Sequence, residues 1–438
     1  MWKFVIPNPF SELPSREVNR LMEITLFPDC KDPPKIGDVT VLLTSGRLTR
    51  LDLRPFAVEA EQDSTVKPMR TSSIITLRNL ASNSKKFIFG FVRNIISWNP
   101  YLEEFYSYIH PGFDVFKECQ NLRILRIYSS FSSFLVNNVS IDLSVLSSLR
   151  NLEVLHFPNV DTGTIANVLE ICPKLISIGQ NDSLESLEEI AQKRQKDSLL
   201  NFDDGRHFQL QRCVWGNDSW LDTHERCLYK SRFCDNMRFA VALCPLVQEL
   251  IFYVHTKDAM KMLKFLKHLT FLRIDFHNCE DDFLPDFVAL LLEIGPQLKH
   301  LSVLGIHHRY PVDVIFDCCP HLHSLQIYGS PFVKNSSEAS GNLPLRRLKL
   351  QSLYGPNDKE SLLFLLSNCK LLEELFLCEV GFFDDALLSE IFKRNPFTEL
   401  RVSCIEYCNL TKRGYQMCIE NAASIETVLI IWDRKVSI

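Results

Sequence analysis

Cys319-Pro-His-Leu322-His-Ser-Leu325-Gln-Ile327 recurs along the chain in other words. Cys119-Gln-Asn-Leu122-Arg-Ile-Leu125-Arg-Ile127 and Cys369-Lys-Leu-Leu372-Glu-Glu-Leu375-Phe-Leu377 repeat its pattern. Each is a turn residue, then L-x-x-L-x-L, and each follows a stretch with apolar residues at helical spacing. The pattern predicts strand starts at Leu48, Ser72, Leu102, Leu122, Leu152, Leu175, Leu210, Val247, Leu269, Leu298, Leu322, Leu345, Leu372, Phe397 and Ile425. These fifteen starts give a mean period of about 27 residues, inside the 20–29 of leucine-rich repeats and near its long end. A long period leaves room for a helix between strands. Residues 164–171, 237–243, 287–294, 361–366 and 387–392 carry the expected helical spacing.

The expected fold class is therefore α/β: a leucine-rich-repeat solenoid, or horseshoe, with parallel inner strands and outer helices, in about fifteen long repeats. One repeat cannot bury its own apolar face, so stability must come from stacking. Within a strand, positions 1, 4 and 6 of L-x-x-L-x-L point into the core. Positions 2, 3, 5 and 7 point the other way, to the concave face. The expected division is a helical cap, or truncated docking segment, over residues 1–46, followed by the repeat array over 47–438. The interval from Leu210 to Val247 is long, and Asn201–Asn236 is rich in charge and aromatics. It reads either as an insertion on a rim or as a degenerate repeat out of register.

Composition narrows the function classes. Against 53 Asp and Glu stand 48 Lys and Arg, a net charge of −5 with no clustered basic face, so nucleic acid is not an expected partner. The longest apolar run, Phe287-Val-Ala-Leu-Leu-Leu292, is far short of the ~20 residues a membrane helix needs, and the N-terminus lacks a signal-peptide core. Of the fifteen cysteines, Cys119, Cys172, Cys244, Cys319 and Cys369 share one slot, three residues before a strand start. That placement reads as packing, not as a disulfide framework or a metal site, and predicts a cytoplasmic or also nuclear place. No cofactor is expected. The zinc-like grouping Cys318, Cys319, His321, His323 reads as structural because strand neighbours face opposite ways, and His224, Cys227, Cys234 reads so because it has no clear fourth ligand. Phosphate loops, nucleophile elbows and zinc-protease motifs are missing from the sequence. The expectation is a protein that is not an enzyme.

The Cys-Pro-x-Leu-x-x-Leu-x-Ile phrasing behind a helix resembles the long repeats of the F-box/LRR proteins and of zyg-type, elongin-binding receptors. Both groups recruit substrates to cullin-RING ubiquitin ligases. Phe10-Ser-Glu-Leu13-Pro14-Ser-Arg-Glu-Val18-Asn-Arg-Leu21-Met-Glu-Ile24 is similar to the opening of an F-box, where Leu-Pro leads into an amphipathic helix. The resemblance implies that Leu13, Pro14, Val18 and Leu21 dock a Skp-type or elongin adaptor, and through it a cullin. The chain departs from an F-box after this helix, turning to Pro33-Pro34 and its first repeat. Docking the ligase and capping the array thus both stand as readings of this helix, and with them a ligase subunit and a free-standing LRR scaffold or inhibitor.

Strand positions 5 and 7 nominate the surface that would hold a protein substrate: Tyr106, Tyr108, Arg126, Tyr128, Tyr253, Arg273, Tyr328 and Lys349. Tyrosine and arginine concentrate binding energy at interfaces because they bring large area or several donors at modest entropy cost. They also suit strands for packing alone.

Overall fold

The computed structural model describes residues 8–26, 36–54, 85–108, 110–128, 141–158, 160–196, 207–216, 223–277, 283–332, 343–352, 358–422 and 424–431. Contacts divide the chain into two units, one of residues 1–196 with 208–213 and one of residues 197–207 with 214–438.

The first unit opens with helices α1 (Ser15–Leu26) and α2 (Ile36–Leu43). Strand β1 (Arg50–Asp52), helix α3 (Lys85–Trp98) and strands β2 (Glu104–Ser107), β3 (Ile124–Ile127), β4 (Val154–His156) and β5 (Ser177–Asp182) follow. A 3₁₀ turn (Phe113–Glu118), α4 (Leu143–Ser148) and α5 (Thr162–Ile171) link those strands, and α6 (Leu184–Lys196) comes after β5. Each strand pairs in parallel with the next, β1 with β2 through to β5. Strand β6 (Arg212–Trp215) lies where the two units divide.

The second unit runs α7 (Thr223–Leu243), β7 (Glu249–Tyr253), α8 (Lys257–Lys261), β8 (Phe271–Asp275), α9 (Leu284–Ile294), β9 (His300–Pro311), α10 (Val312–Cys318) and β10 (Ser324–Phe332). It ends with β11 (Arg347–Gln351), α11 (Asp358–Asn368), β12 (Glu374–Cys378), α12 (Asp385–Arg394), β13 (Val402–Glu406), α13 (Lys412–Asn421) and β14 (Thr427–Ile431). Its eight strands also pair in sequence and in parallel. Parallel strands alternating with helices make each unit an α/β solenoid.

The predicted starts Leu48, Leu102, Leu122, Leu152, Leu175, Leu210, Val247, Leu269, Leu298, Leu322, Leu345, Leu372 and Ile425 each lie two residues before a strand. All of these except Ile425 are buried. Ser72 lies outside the described residues. Phe397 is a register error of three residues: Leu400 is the true first position, since Leu375 pairs with Ser403. Phe397 instead fills the slot that Cys369 fills one repeat earlier, with φ +49° and its ring 5.7 Å from Phe392. An apolar residue three before a leucine imitated the motif.

In the segment 201–236 the described part supplies β6 and most of α7, and Phe208, Trp215 and Phe233 are core residues; residues 201–206 and 217–222 lie outside the described residues.

One backbone arrangement recurs between strands. The carbonyl of position 2 accepts both the position 2 and position 3 N–H groups of the next repeat. Glu103 O takes Arg123 N and Ile124 N, Arg123 O takes Glu153 N and Val154 N, and Lys299 O takes His323 N and Ser324 N. Arg346, Glu373 and Arg401 continue it to the last strand.

Three residues before each first leucine, the slot residue ends the preceding helix and turns the chain. Cys319 N donates to Ile315 O while its own carbonyl accepts from Leu322 N, and Cys172 and Cys369 do the same. Slots of successive repeats touch: a Cβ added to Gly295 would lie 3.0 Å from the Cys319 sulfur and closer still to the Cys318 carbonyl. The five slot cysteines are buried free thiols. Burial pushes Cys119 and Cys319 up to about 12 and Cys172 up to about 11, and raises Cys369 further.

A thiol whose folded pKa lies above its ordinary 9.0 stays protonated while the unfolded chain releases its proton. These cysteines therefore contribute stability fully below about pH 9, and that contribution is lost as pH rises toward 12. Urea midpoints should fall between about pH 8 and pH 10.5, and less so in Cys119→Ala than in the native chain. Native thiol titration should leave the slot cysteines unmodified until denaturant is added.

Candidate binding face

In the first unit the four nominated residues meet in one cluster on the side of the sheet facing away from the helices. Tyr106 and Arg126 are partners in register between β2 and β3, and Arg126 faces His156 on β4. Tyr108 and Tyr128 lie with ring centroids 5.7 Å apart, and Tyr128 lies 5.2 Å from His156. Arg54, just after β1, spans the cluster. Its guanidinium lies 4.8 Å from the Tyr106 ring centroid and 5.5 Å from that of Tyr128, and Asp52 holds it in a 2.5 Å ion pair.

Exposure separates the roles. Tyr108 is exposed and Tyr128 half-buried, so both can meet a partner. Tyr106 is buried, its hydroxyl donates to Glu104 at 3.1 Å, and burial raises its pKa; it forms the floor of the cluster. His156 accepts the Gln180 N–H through Nδ1 at 3.2 Å, and burial, then Arg126, lower its pKa, which keeps the ring neutral at pH 7. Beside it Gly179 adopts φ +73°, and a Cβ there would collide with the imidazole.

In the second unit the nominated residues spread over two adjacent columns. Position 5 reads Ile251, Arg273, Ser302, Gln326, Lys349, Phe376, Cys404, all in register. Position 7 reads Tyr253, Asp275, Leu304, Tyr328, Gln351, Cys378. Tyr253, Arg273, Tyr328 and Lys349 are all half-buried. Tyr328 lies 5.8 Å from His277, whose Nδ1 is 2.7 Å from Asp275.

The column rule reaches Arg54, His156, Ser302 and Gln326 as well. Ser302, Gln326 and His156 carry no tyrosine, arginine or lysine signal, and Arg54 stands in the ragged first repeat, where the column is hardest to read.

The N-terminal helix divides its faces. Val18 and Met22 are buried, Leu13 and Leu21 are half-buried, and Pro14 and Ile24 are exposed. Val18 is thus a core residue and offers no surface for an adaptor. Between Val18 and Leu21, Asn19 does the capping. Its Oδ1 accepts from Thr49 N at 3.2 Å and Arg50 N at 3.4 Å, the two N–H groups that elsewhere find a preceding strand's carbonyl. Its Nδ2 donates to Thr49 Oγ1 at 2.8 Å, and Glu23 pairs with Arg50 at 3.2 Å.

Cys319 is buried while His321 is exposed, so the Cys318–His323 grouping does not converge. Among the described residues no cluster of three or more ligating side chains could hold a metal ion. The side chains of His224 and Cys227 lie outside the described residues. Among the described residues no helix is long and apolar enough to cross a membrane.

No protein-family model and no curated protein matches the chain. Among solved structures it is similar to a chain in the crystal structure of the Rad7 and Elc1 complex in yeast. That likeness has 14% identity and a TM-score of 0.32, over 60% of this chain and 72% of that one. A structural-genomics protein from Bacteroides fragilis is similar at 11% identity and a TM-score of 0.30, over 56% of this chain and 84% of that one. At these scores neither likeness bears on function.

Removing the Asn19 amide leaves the edge N–H groups of β1 without their acceptor. Asn19→Ala should lower unfolding free energy by about 1–3 kcal/mol, read by urea denaturation. Ile24→Ala, on the exposed side of the same helix, should change it by less than about 0.5 kcal/mol.

Proposed function

We propose that this chain is a non-catalytic protein-binding molecule that holds a protein target against the outward side of its strands. One observation carries this reading: Tyr108, Tyr128, Tyr253 and Tyr328 occupy outward slots at or near the surface, on the side of the sheet that the helices leave free. Tyrosine combines apolar area with a hydroxyl that tolerates water, which suits a surface that a partner covers. The histidine of the first cluster is neutral and committed to a backbone N–H, so it supports recognition better than acid–base chemistry. Free buried thiols suit a reducing compartment, cytoplasmic or nuclear.

A second reading makes the chain the substrate-recognition subunit of a cullin-RING ubiquitin ligase. What supports it here is apolar surface on and just before α1: Ile24 is 56% exposed, Pro14 is exposed, and Leu13 and Leu21 are half-buried. Leu13, Pro14 and Leu21 keep the docking role in this reading, Ile24 joins them, and Val18 leaves. The same helix caps the array through Asn19, and the two roles use different faces.

The tests separate the readings. Tyr128→Ala, Tyr253→Ala and Tyr328→Ala, made singly, should each weaken capture of the bound protein by about 2 kcal/mol or more with little change in melting. Lower melting with intact capture would make these tyrosines scaffold. For the ligase reading, a pull-down from native lysate is scored for Skp-type adaptors, elongins and cullins. Ile24→Asp should abolish their recovery while a target bound on the strand face is retained. Recovery of the target without any adaptor from the native chain would leave a free-standing scaffold or inhibitor.

A further inference from the structure

The central row of the second unit holds four polar side chains that form no side-chain hydrogen bond or ion pair among the described residues. Arg273 on β8, Ser302 on β9, Gln326 on β10 and Lys349 on β11 are consecutive partners in register. Arg273 Nε and Ser302 Oγ are buried without any hydrogen bond, and Ser302 is only 7% exposed. Neighbouring pairs elsewhere on the same face are satisfied: Arg347 binds Glu374, and Asp275 binds His277. No carboxylate stands in the row from Arg273 to Lys349, and among the described residues neither cation forms an ion pair.

Leaving a donor and a hydroxyl buried and unmatched costs free energy that a bound acceptor would recover. A guanidinium offers a forked pair of N–H groups that fits a carboxylate, and the adjacent hydroxyl adds a third donor. We infer that this row is the recognition site for an acidic peptide segment of the partner protein, an Asp or Glu carboxylate taking Arg273 and Ser302 and a second reaching Lys349. The inference rests on the protein-binding reading above and specifies the partner's chemistry.

Four strands about 4.8 Å apart place Arg273 and Lys349 about 14 Å from each other, which an extended peptide covers in about four residues. The expected motif is therefore acid-x-x-x-acid. Tyr253 and Tyr328, in the next column, would flank it. A nucleic-acid backbone fits this face less well: Glu249 on β7 and Glu374 on β12 lie beyond the two ends of the row, where a longer line of phosphates would meet them and a five-residue peptide would not.

The test is peptide display selected on the full chain, followed by fluorescence anisotropy with the recovered peptide synthesised as its Glu and Gln forms. The expected result is enrichment of acid-x-x-x-acid and a loss of about 10- to 100-fold in Arg273→Met, with melting unchanged. In Arg273→Met, peptides with Glu or Gln at the first acid position alone should bind alike, because the lost pair is the same one. Lys349→Met should weaken binding and abolish the preference for the second acid. Peptides without acidic enrichment that still lose binding in Tyr328→Ala would overturn this inference and leave the protein-binding face standing. Peptides indifferent to Tyr253, Arg273 and Tyr328 alike would remove both. A single-stranded RNA 12-mer that binds tighter than every peptide and loses binding in Arg273→Met would reassign the row to nucleic acid and overturn the proposal.

Discussion

The forked hydrogen bond at strand position 2 is the constraint on which the rest depends. One carbonyl, taking two N–H groups from the next repeat, sets the register of strand against strand within each unit. A parallel sheet has a side-chain period of two, so a slip of one residue would turn each core leucine outward and each surface tyrosine inward. Because the fork recurs, positions 5 and 7 form straight columns and not scattered points. The candidate binding face is a consequence of backbone bonding.

The same constraint explains the N-terminal helix. A repeating fork has an unfilled acceptor position at its first strand, and exposed edge N–H groups invite unwanted pairing. Asn19 supplies the missing oxygen from a side chain. That ties α1 to the array for structural reasons alone, whatever else its outer side does, and it moves Val18 from a docking surface to the core. The last strand, β14, shows the opposite condition, with Ile425, Val428 and Ile430 half-buried where their counterparts in the array are buried.

Most of the architecture was legible because buried leucines at fixed spacing leave few alternatives. The register failed at Phe397, where an aromatic took the turn slot that cysteine takes elsewhere and imitated a first leucine. Over 201–236, charge and aromatics mixed in one stretch hid the fact that Phe208, Trp215 and Phe233 are buried. The binding face was legible only for side chains with a reputation for binding. Ser302 and Gln326 are ordinary strand residues in the text, and their interest lies in bonds they do not make, which no sequence displays. Asn19 was silent for a similar reason, its partners lying thirty residues away.

The two sides of the sheet make opposite claims on a partner, and one measurement decides between them. A photo-crosslinking amino acid would be placed at Tyr328, on the strand face, and in a second sample at Leu292 on α9, which is 67% exposed. After irradiation in native lysate, mass spectrometry counts the adducts at each position. A single protein crosslinked at Tyr328 and absent at Leu292 is the result predicted. The same protein crosslinked at Leu292 and absent at Tyr328 would contradict the assignment of the binding face.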